Sequence, residues 1–362
     1  MPRVTAVVGG QYGSEGKGKI VAYIANEYGV HVRSGGANAG HSIYHNGQLF
    51  KMRQIPCGWI NPQAKLIVAR GALVDIDLLL EEIEMVSAVD KNIHERVLVD
   101  AKAHTISDTH RDMEGGIAGD LHRRIGSTGE GVGAARIARV RRDPTSSTNV
   151  AAAAALYDNE ILNSVITDST PHVLFNSIRA GVPVLLEGTQ GYGLSLIHGP
   201  WPYVTSHDTN AATLAADAGI SPIYVDDVIL VIRTYPIRVA GNSGPMYKET
   251  SWQALSAALG REVIERTTVT NKVRRVGQWD EELVEEAVVA NAPTQLALMF
   301  ADYLNTKDYG VTDFDKLSTD TRSFIEYLER MFNIPVTMIG TGPKSEHIID
   351  RRNGSFYPTG GM

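Results

Sequence analysis

The segment Val7–Lys19, VVGGQYGSEGKGK, most constrains the fold. An apolar strand runs straight into a glycine-rich turn with two lysines, and the turn opens a helix. Glycines let backbone N–H groups crowd around a phosphate, and the positive end of the helix lies there too. The turn is close to a P-loop without being one. The G-x-x-x-x-G-K spacing needs glycine where Gln11 stands and a hydroxyl residue where Gly18 stands.

Downstream, apolar patterning predicts short strands at Val4–Val8, Val30–Arg33, Leu66–Ala69, Arg96–Val99, Val182–Leu186, Val228–Thr234, Leu296–Phe300 and Pro335–Ile339. Helices are expected over Lys17–Tyr28, Asp77–Val86 with Asp75 as cap, Val150–Ile166, Trp252–Leu259 and Thr321–Phe332. Asn46–Gly47 marks a hairpin within Ser42–Gln54. Strands alternating with helices give an α/β fold with a largely parallel central sheet flanked by helices. No repeat or linker divides the chain, so residues 1–362 read as a single large domain. Arg111–Gly133, dense in Gly, Asp and Arg, reads as a long irregular loop of the functional or mobile kind.

The net charge of −7 argues against a broad nucleic-acid-binding surface. Positive charge is concentrated instead in Arg123 and Arg124, in 136–142 and in 272–275. No apolar run reaches the ~20 residues of a membrane span, so no membrane contact is expected. No signal-peptide pattern is visible, and the single Cys57, read as a packing residue, suits a reducing, cytoplasmic compartment.

GQYGSEGKGK together with SGGANAGHS, IGSTGEGVG, LLEGTQG, WPYVTSHDTNA, VRRVGQWD and IGTGPKSE resembles the adenylosuccinate synthetases over nearly the whole chain. That family reads G-D-E-G-K-G-K and carries a catalytic aspartate where this chain has Ser14. Serine there is similar to the bacteriophage branch, the 2-aminoadenylosuccinate synthetases, which act on dGMP on the way to diaminopurine DNA. The family's usual chain is longer, and the shortening falls between the Arg274 and Asn305 blocks.

The resemblance implies roles for particular residues. His41 is the catalytic histidine, acting with Ser14. Gly13, Glu15, Gly16, Lys17, Gly18, Gly40, His41 and Ser42 hold the phosphates of a nucleoside triphosphate, and Asn305, Lys307, Asp308, Gly340 and Gly342 lie at its base. Mg²⁺ takes hard oxygens, here the Ser14 hydroxyl and the Gly40 carbonyl. Ser14, Asn38, Ser127, Thr128, Gln190 and Thr205 take the purine monophosphate, and Arg142 reaches it across a homodimer interface. Thr270, Lys272 and Arg274 match the pattern that grips L-aspartate, with Lys272 replacing an arginine and so losing the bidentate fork. The family's guanine-reading T-K-L-D is replaced by Thr306–Tyr309, with the acid moved to Asp308. Relaxed guanine reading fits ATP or dATP, while a local backbone shift would let Asp308 still read guanine. No role falls to His31, His45, His104 or His198.

Serine cannot replace a carboxylate base at neutral pH unless another group activates it. It is shorter, however, and leaves room for the 2-amino group of guanine beside N1. Three readings follow: a ligase joining aspartate to dGMP, an ordinary adenylosuccinate synthetase using IMP and GTP, and a nucleotide-binding regulator on the same fold.

Overall fold

The computed structural model describes residues 3–115, 119–142, 149–157, 159–267 and 272–352. Its centre is a ten-stranded sheet. In chain order the strands are β1 (Val4–Gly9), β2 (Val30–Arg33), β3 (Lys65–Val68), β4 (Val97–Asp100), β5 (Ile166–Thr167), β6 (Val184–Glu187), β7 (Asp227–Arg233), β8 (Gln295–Met299), β9 (Val336–Gly340) and β10 (Ile348–Asp350). Across the sheet they lie in the order 10-9-8-7-1-6-2-3-4-5. All neighbouring pairs are parallel except β9 with the edge strand β10. A parallel sheet must be covered on both faces. Two apolar layers do this, one around Ile20, Phe50, Leu79 and Val99, the other around Leu174, Leu214, Leu230 and Ile325.

The chain passes from β1 to β2 with β6 between them, so the order reverses beside β1. Such a reversal opens a crevice at the carboxyl ends of the strands, where open α/β sheets place their ligands. The glycine-rich turn leaves β1 at that point.

Most expected elements are present, with shifted ends. The first helix stops at Tyr23 and a 3-10 turn, Ala25–Glu27, replaces the rest. The hairpin pairs His41–His45 with Gln48–Met52, and Asn46 and Gly47 both adopt positive φ, as a two-residue hairpin turn requires. The helix expected over Val150–Ile166 is two helices, Val150–Ala154 and Glu160–Val165, followed by β5. Asn159 starts the second by accepting from the Leu162 N–H at 2.9 Å. The irregular loop expected over Arg111–Gly133 instead contains helices Asp108–Glu114 and Asp120–Ile125 and the start of Val132–Arg141. Left-handed glycines, Gly115 and Gly126, end the first two. The buried Glu114 carboxylate caps the third by accepting from Gly131, Gly133 and Ala134 N–H at 2.7–3.1 Å.

Candidate active site

The glycine-rich turn is organised around Glu15, which is fully buried. Its Oε1 accepts from the Gln11 N–H at 3.1 Å and the Gly13 N–H at 2.8 Å, and its Oε2 pairs with Lys17 Nζ at 2.6 Å. Lys17 Nζ also donates to the Gln190 carbonyl of the turn after β6. The Gly13 N–H, expected on a phosphate, is therefore given to Glu15 here. Glu15 itself shapes the turn from within.

Both departures from the P-loop pattern have physical reasons. The Gln11 side chain exchanges two hydrogen bonds with the Arg233 backbone, at 3.1 and 2.9 Å, and ties the turn to the end of β7. A β-carbon on Gly18 would lie 2.7 Å from His41 Cβ and 3.2 Å from Cys57 Sγ, so no hydroxyl residue fits there.

His41 begins the hairpin beside that contact. Its Nδ1 lies 2.5 Å from Glu187 Oε1 and 3.0 Å from Arg33 Nη1. Arg33 and Glu187 end the adjacent strands β2 and β6 as register partners, and they form an ion pair at 2.5 Å. The Cys57 N–H donates to Glu187 Oε2 at 2.7 Å. Burial alone would raise the Glu187 carboxyl, but the Arg33 guanidinium and the His41 hydrogen bond outweigh it and hold it at about 2. Burial, then the Arg33 charge, pushes His41 down to about 4. The resting state is thus an ionised Glu187 accepting the Nδ1 proton of a neutral His41, which leaves Nε2 for a ligand. Cys57 is buried, and burial raises its thiol pKa well above the usual range, in line with a packing role.

A cavity of about 810 Å³ opens in front of His41. It is lined by Gly13, Ser14, Lys17, Asn38, Gly40, His41, Ser127, Thr128, Gln190, Thr205, Lys272 and Arg274, among others. The residues expected to meet the monophosphate therefore converge, apart from Arg142. Gln190 Nε2 donates to Asn38 Oδ1 at 3.3 Å. Lys272 Nζ lies 3.2 Å from His122 Nε2, and Arg274 Nε donates to the Arg266 carbonyl at 3.2 Å. Arg142 is exposed at the end of its helix, outside this cavity. Thr270 lies outside the described residues.

A second group lies beyond the cavity lining, at the carboxyl ends of β8 and β9. Lys19 Nζ donates to the Gly342 and His347 carbonyls at 2.7 and 2.8 Å, linking the glycine-rich turn to it. Asn305 accepts from the Lys307 N–H at 3.1 Å, Lys307 is exposed, and Gly340 ends β9. Ser42 is exposed on the hairpin. Asp308, expected to read guanine only after a local backbone shift, is engaged elsewhere in this structure. It is fully buried, and its oxygens accept from Ser318 N–H, Ser318 Oγ and Thr321 Oγ1 at 2.5–2.7 Å, fixing the start of helix Thr319–Phe332. Tyr309, half exposed, stands next to it against His347, with ring centroids 5.5 Å apart. Asp308→Ala is expected to cost about 2–4 kcal/mol of stability in a urea titration, because three donors lose one acceptor. The preference among triphosphates should not move.

A family model described as adenylosuccinate synthetase matches residues 6–161 and 147–309. The chain belongs to the adenylosuccinate synthetase family. An adenylosuccinate synthetase of Pyrococcus sp. (strain ST700) is 40% identical over 350 residues, 96% of this chain and 98% of that one. That of Methanocaldococcus jannaschii is 41% identical over 354 residues, 96% and 97% of the two chains. The match spans 97–98% of these archaeal synthetases, so the shortening expected from the family's usual size does not separate the chain from them. Among solved structures, the cyanophage S-2L succinoaminodeoxyadenylate synthetase (PurZ), bound to dGMP and to dATP as an energy donor, superposes with a TM-score of 0.81. It is 28% identical and covers 97% of this chain and 96% of that one. The Plasmodium falciparum adenylosuccinate synthetase, at 21% identity and a TM-score of 0.83, shares the fold over 97% and 100% of the two chains. As a member of this synthetase family the chain is a C–N bond-forming ligase of purine nucleotide synthesis. Sequence reading missed Glu187 and Arg33. The sequence shows only that a base and an acid each close a short strand; that the two strands are neighbours, which pairs the charges, comes from the sheet order.

Proposed function

We propose that this ligase joins L-aspartate to dGMP, with ATP or dATP as phosphoryl donor, to give 2-amino-2′-deoxy-N6-succinyladenylate, the diphosphate and phosphate. The observation that carries the reading is Ser14. It lies on the cavity wall with Asn38 and Gln190, where the family resemblance expects an aspartate. A hydroxyl there leaves space for the guanine 2-amino group and accepts its hydrogen bond. Two further points support the reading: the likeness to the cyanophage synthetase that binds dGMP and dATP, and the commitment of Asp308 to its helix, which removes a guanine-reading carboxylate.

In this reading the purine 6-oxygen attacks the donor's γ-phosphorus, the diphosphate leaves, and the aspartate amine then displaces phosphate from C6. Phosphoryl transfer asks the protein mainly for position and charge neutralisation. Lys17, released from Glu15, supplies charge. His41 Nε2 faces the 6-oxygen and takes up a proton as phosphate charge enters the site. Arg274 and Lys272 take the aspartate carboxylates. Glu114 is the single carboxylate among the described cavity residues, and three amides occupy it. The N1 proton therefore leaves through the Ser14 hydroxyl to a phosphoryl oxygen or water. The Ser14 hydroxyl and the Gly40 carbonyl are hard oxygens on one wall and would hold Mg²⁺, whose chemistry is to neutralise the donor's terminal phosphates.

The exposed apolar residues Ile137, Val140, Ile197 and Trp201, together with Arg142 at the end of the same helix as Ile137 and Val140, support a homodimer of shared sites. The proposal also places the enzyme in the cytoplasm, that of the host if it is phage-encoded. Among the described residues no helix is long and apolar enough to cross a membrane.

A second reading, an ordinary synthetase acting on IMP with GTP, is favoured by the archaeal relatives at 40–41% identity. Purified protein is to be incubated with aspartate, Mg²⁺, each of dGMP, GMP, dIMP and IMP, and each of ATP, dATP and GTP. The succinyl product is then quantified by mass. Faster product from IMP than from dGMP with every donor sinks the first reading and establishes the second.

A further inference from the structure

The helix Val132–Arg141 turns one face to the cavity, since Gly133, Arg136, Ile137, Val140 and Arg141 all line it at helical spacing. Arg136 has no place in the roles above. Its Nε and Nη2 are buried without a hydrogen-bond partner. It makes no ion pair among the described residues. Asp217, the one acidic group that acts on it, is held by Ser34 Oγ at 2.7 Å. Ser206 Oγ, which lines the same cavity, is also buried and unpartnered, as is Nδ1 of the adjoining His207, whose ring feels the Arg136 charge. Burial, and then the Arg136 charge, keeps the His207 imidazole neutral, with its pKa at about 4.

A guanidinium taken from water with no counter-ion and two unmade hydrogen bonds is costly in free energy. The cost is offset when an anion arrives. The surrounding wall has the chemistry for one: Ser127, Thr128, Thr205 and Ser206 bring hydroxyls to the same cavity, and Glu114, the single carboxylate there among the described residues, is bound to amides. Hydroxyls around a forked cation, with no free carboxylate, suit a tetrahedral dianion better than a neutral base edge.

We propose that Arg136, with Ser206, binds the 5′-phosphate of the purine monophosphate from within the same protomer. The inference rests on the cavity taking a purine monophosphate, which the dGMP and IMP readings share. Its consequence is that the phosphate is held before any contribution from the partner's helix end.

The test compares dissociation constants of the full-length protein by calorimetry for dGMP and IMP, and for deoxyguanosine and inosine, which lack the phosphate. Arg136→Met should weaken the better-bound monophosphate about 10- to 100-fold, the usual worth of a charge-assisted hydrogen-bonded pair. It should leave nucleoside binding and the KM for aspartate unchanged. Arg136→Lys should recover part of the loss, and Ser206→Ala should show a smaller loss of the same kind. If Arg136→Met does not fold, the Arg136→Lys and Ser206→Ala variants decide the matter by the same comparison. Equal loss for nucleoside and monophosphate, loss confined to aspartate, or no loss at all would overturn the assignment. Preference of the wild-type protein for IMP would defeat the dGMP reading alone, because the phosphate-dependent loss would then be read on IMP.

Discussion

Ser14→Asp is expected to abolish most turnover of dGMP while leaving the fold intact. Ser14 sits at φ 57°, a left-handed conformation that aspartate tolerates better than most side chains, and it is exposed to the cavity. The backbone therefore accepts the change and the effect falls on the ligand. A carboxylate is larger than a hydroxyl and crowds the 2-amino group. On the proposed dGMP reading, the wild-type site should prefer dGMP over dIMP by up to about 10⁴ in kcat/KM, because an analogue without the N–H leaves the Ser14 acceptor unpaired once the ligand has excluded water. In the variant that ratio should collapse by at least about 10²-fold, with IMP or dIMP turnover rising as a carboxylate base becomes available. Steady-state rates with the four monophosphates measure it, and melting temperatures check the fold. Undiminished dGMP turnover in Ser14→Asp would detach Ser14 from substrate choice.

Removing the imidazole in His41→Ala should lower kcat by about 10²- to 10³-fold, the usual loss for one transition-state donor. Monophosphate affinity should change little, because the donor acts on charge that develops later. Glu187→Gln should give much of the same loss by a different route. The amide no longer requires the proton on His41 Nδ1, and Arg33 is left buried without its counter-charge. Since one group acts through the other, the double variant should be hardly worse than His41→Ala alone. Additive losses would mean that Glu187 serves only to hold the strands together. Near-full activity in His41→Ala would remove the histidine from the chemistry.

Elements were legible in the sequence where a local signal was strong. The buried strands Val4–Gly9 and Asp227–Arg233 carry the apolar runs Ala6–Val8 and Val228–Ile232, and the hairpin is marked by Asn46–Gly47. Of the helices within 108–141, the one starting at Val132 was not legible, because its cap is a distant group. Glu114 caps it from 17 residues away. The order of the sheet, with β6 inserted between β1 and β2, is a tertiary fact with no local trace. The motif residues Lys17, Asn38, Gln190 and Arg274, far apart in the chain, all line one cavity. The site was read poorly where a carboxylate's job is settled by its neighbours. Glu15 and Asp308 look alike in sequence as polar residues of a binding loop, yet both spend their oxygens inside the protein. Glu187, which looked like the end of a strand, faces the chemistry through His41.

The contact between Gly18 and His41 bears on how such a loop could change over evolutionary time. A side chain at 18 would meet the β-carbon of residue 41 at 2.7 Å, with His41 Cγ and Cys57 Sγ each at 3.2 Å. Neither single replacement leads smoothly to an ordinary P-loop. Gly18→Ser alone displaces the histidine, and loss of His41 alone leaves the donor's phosphates without the missing hydroxyl. The close approach holds residue 18 to glycine whichever side chain stands at 41, so the start of the hairpin itself has to move before a hydroxyl residue can enter the turn.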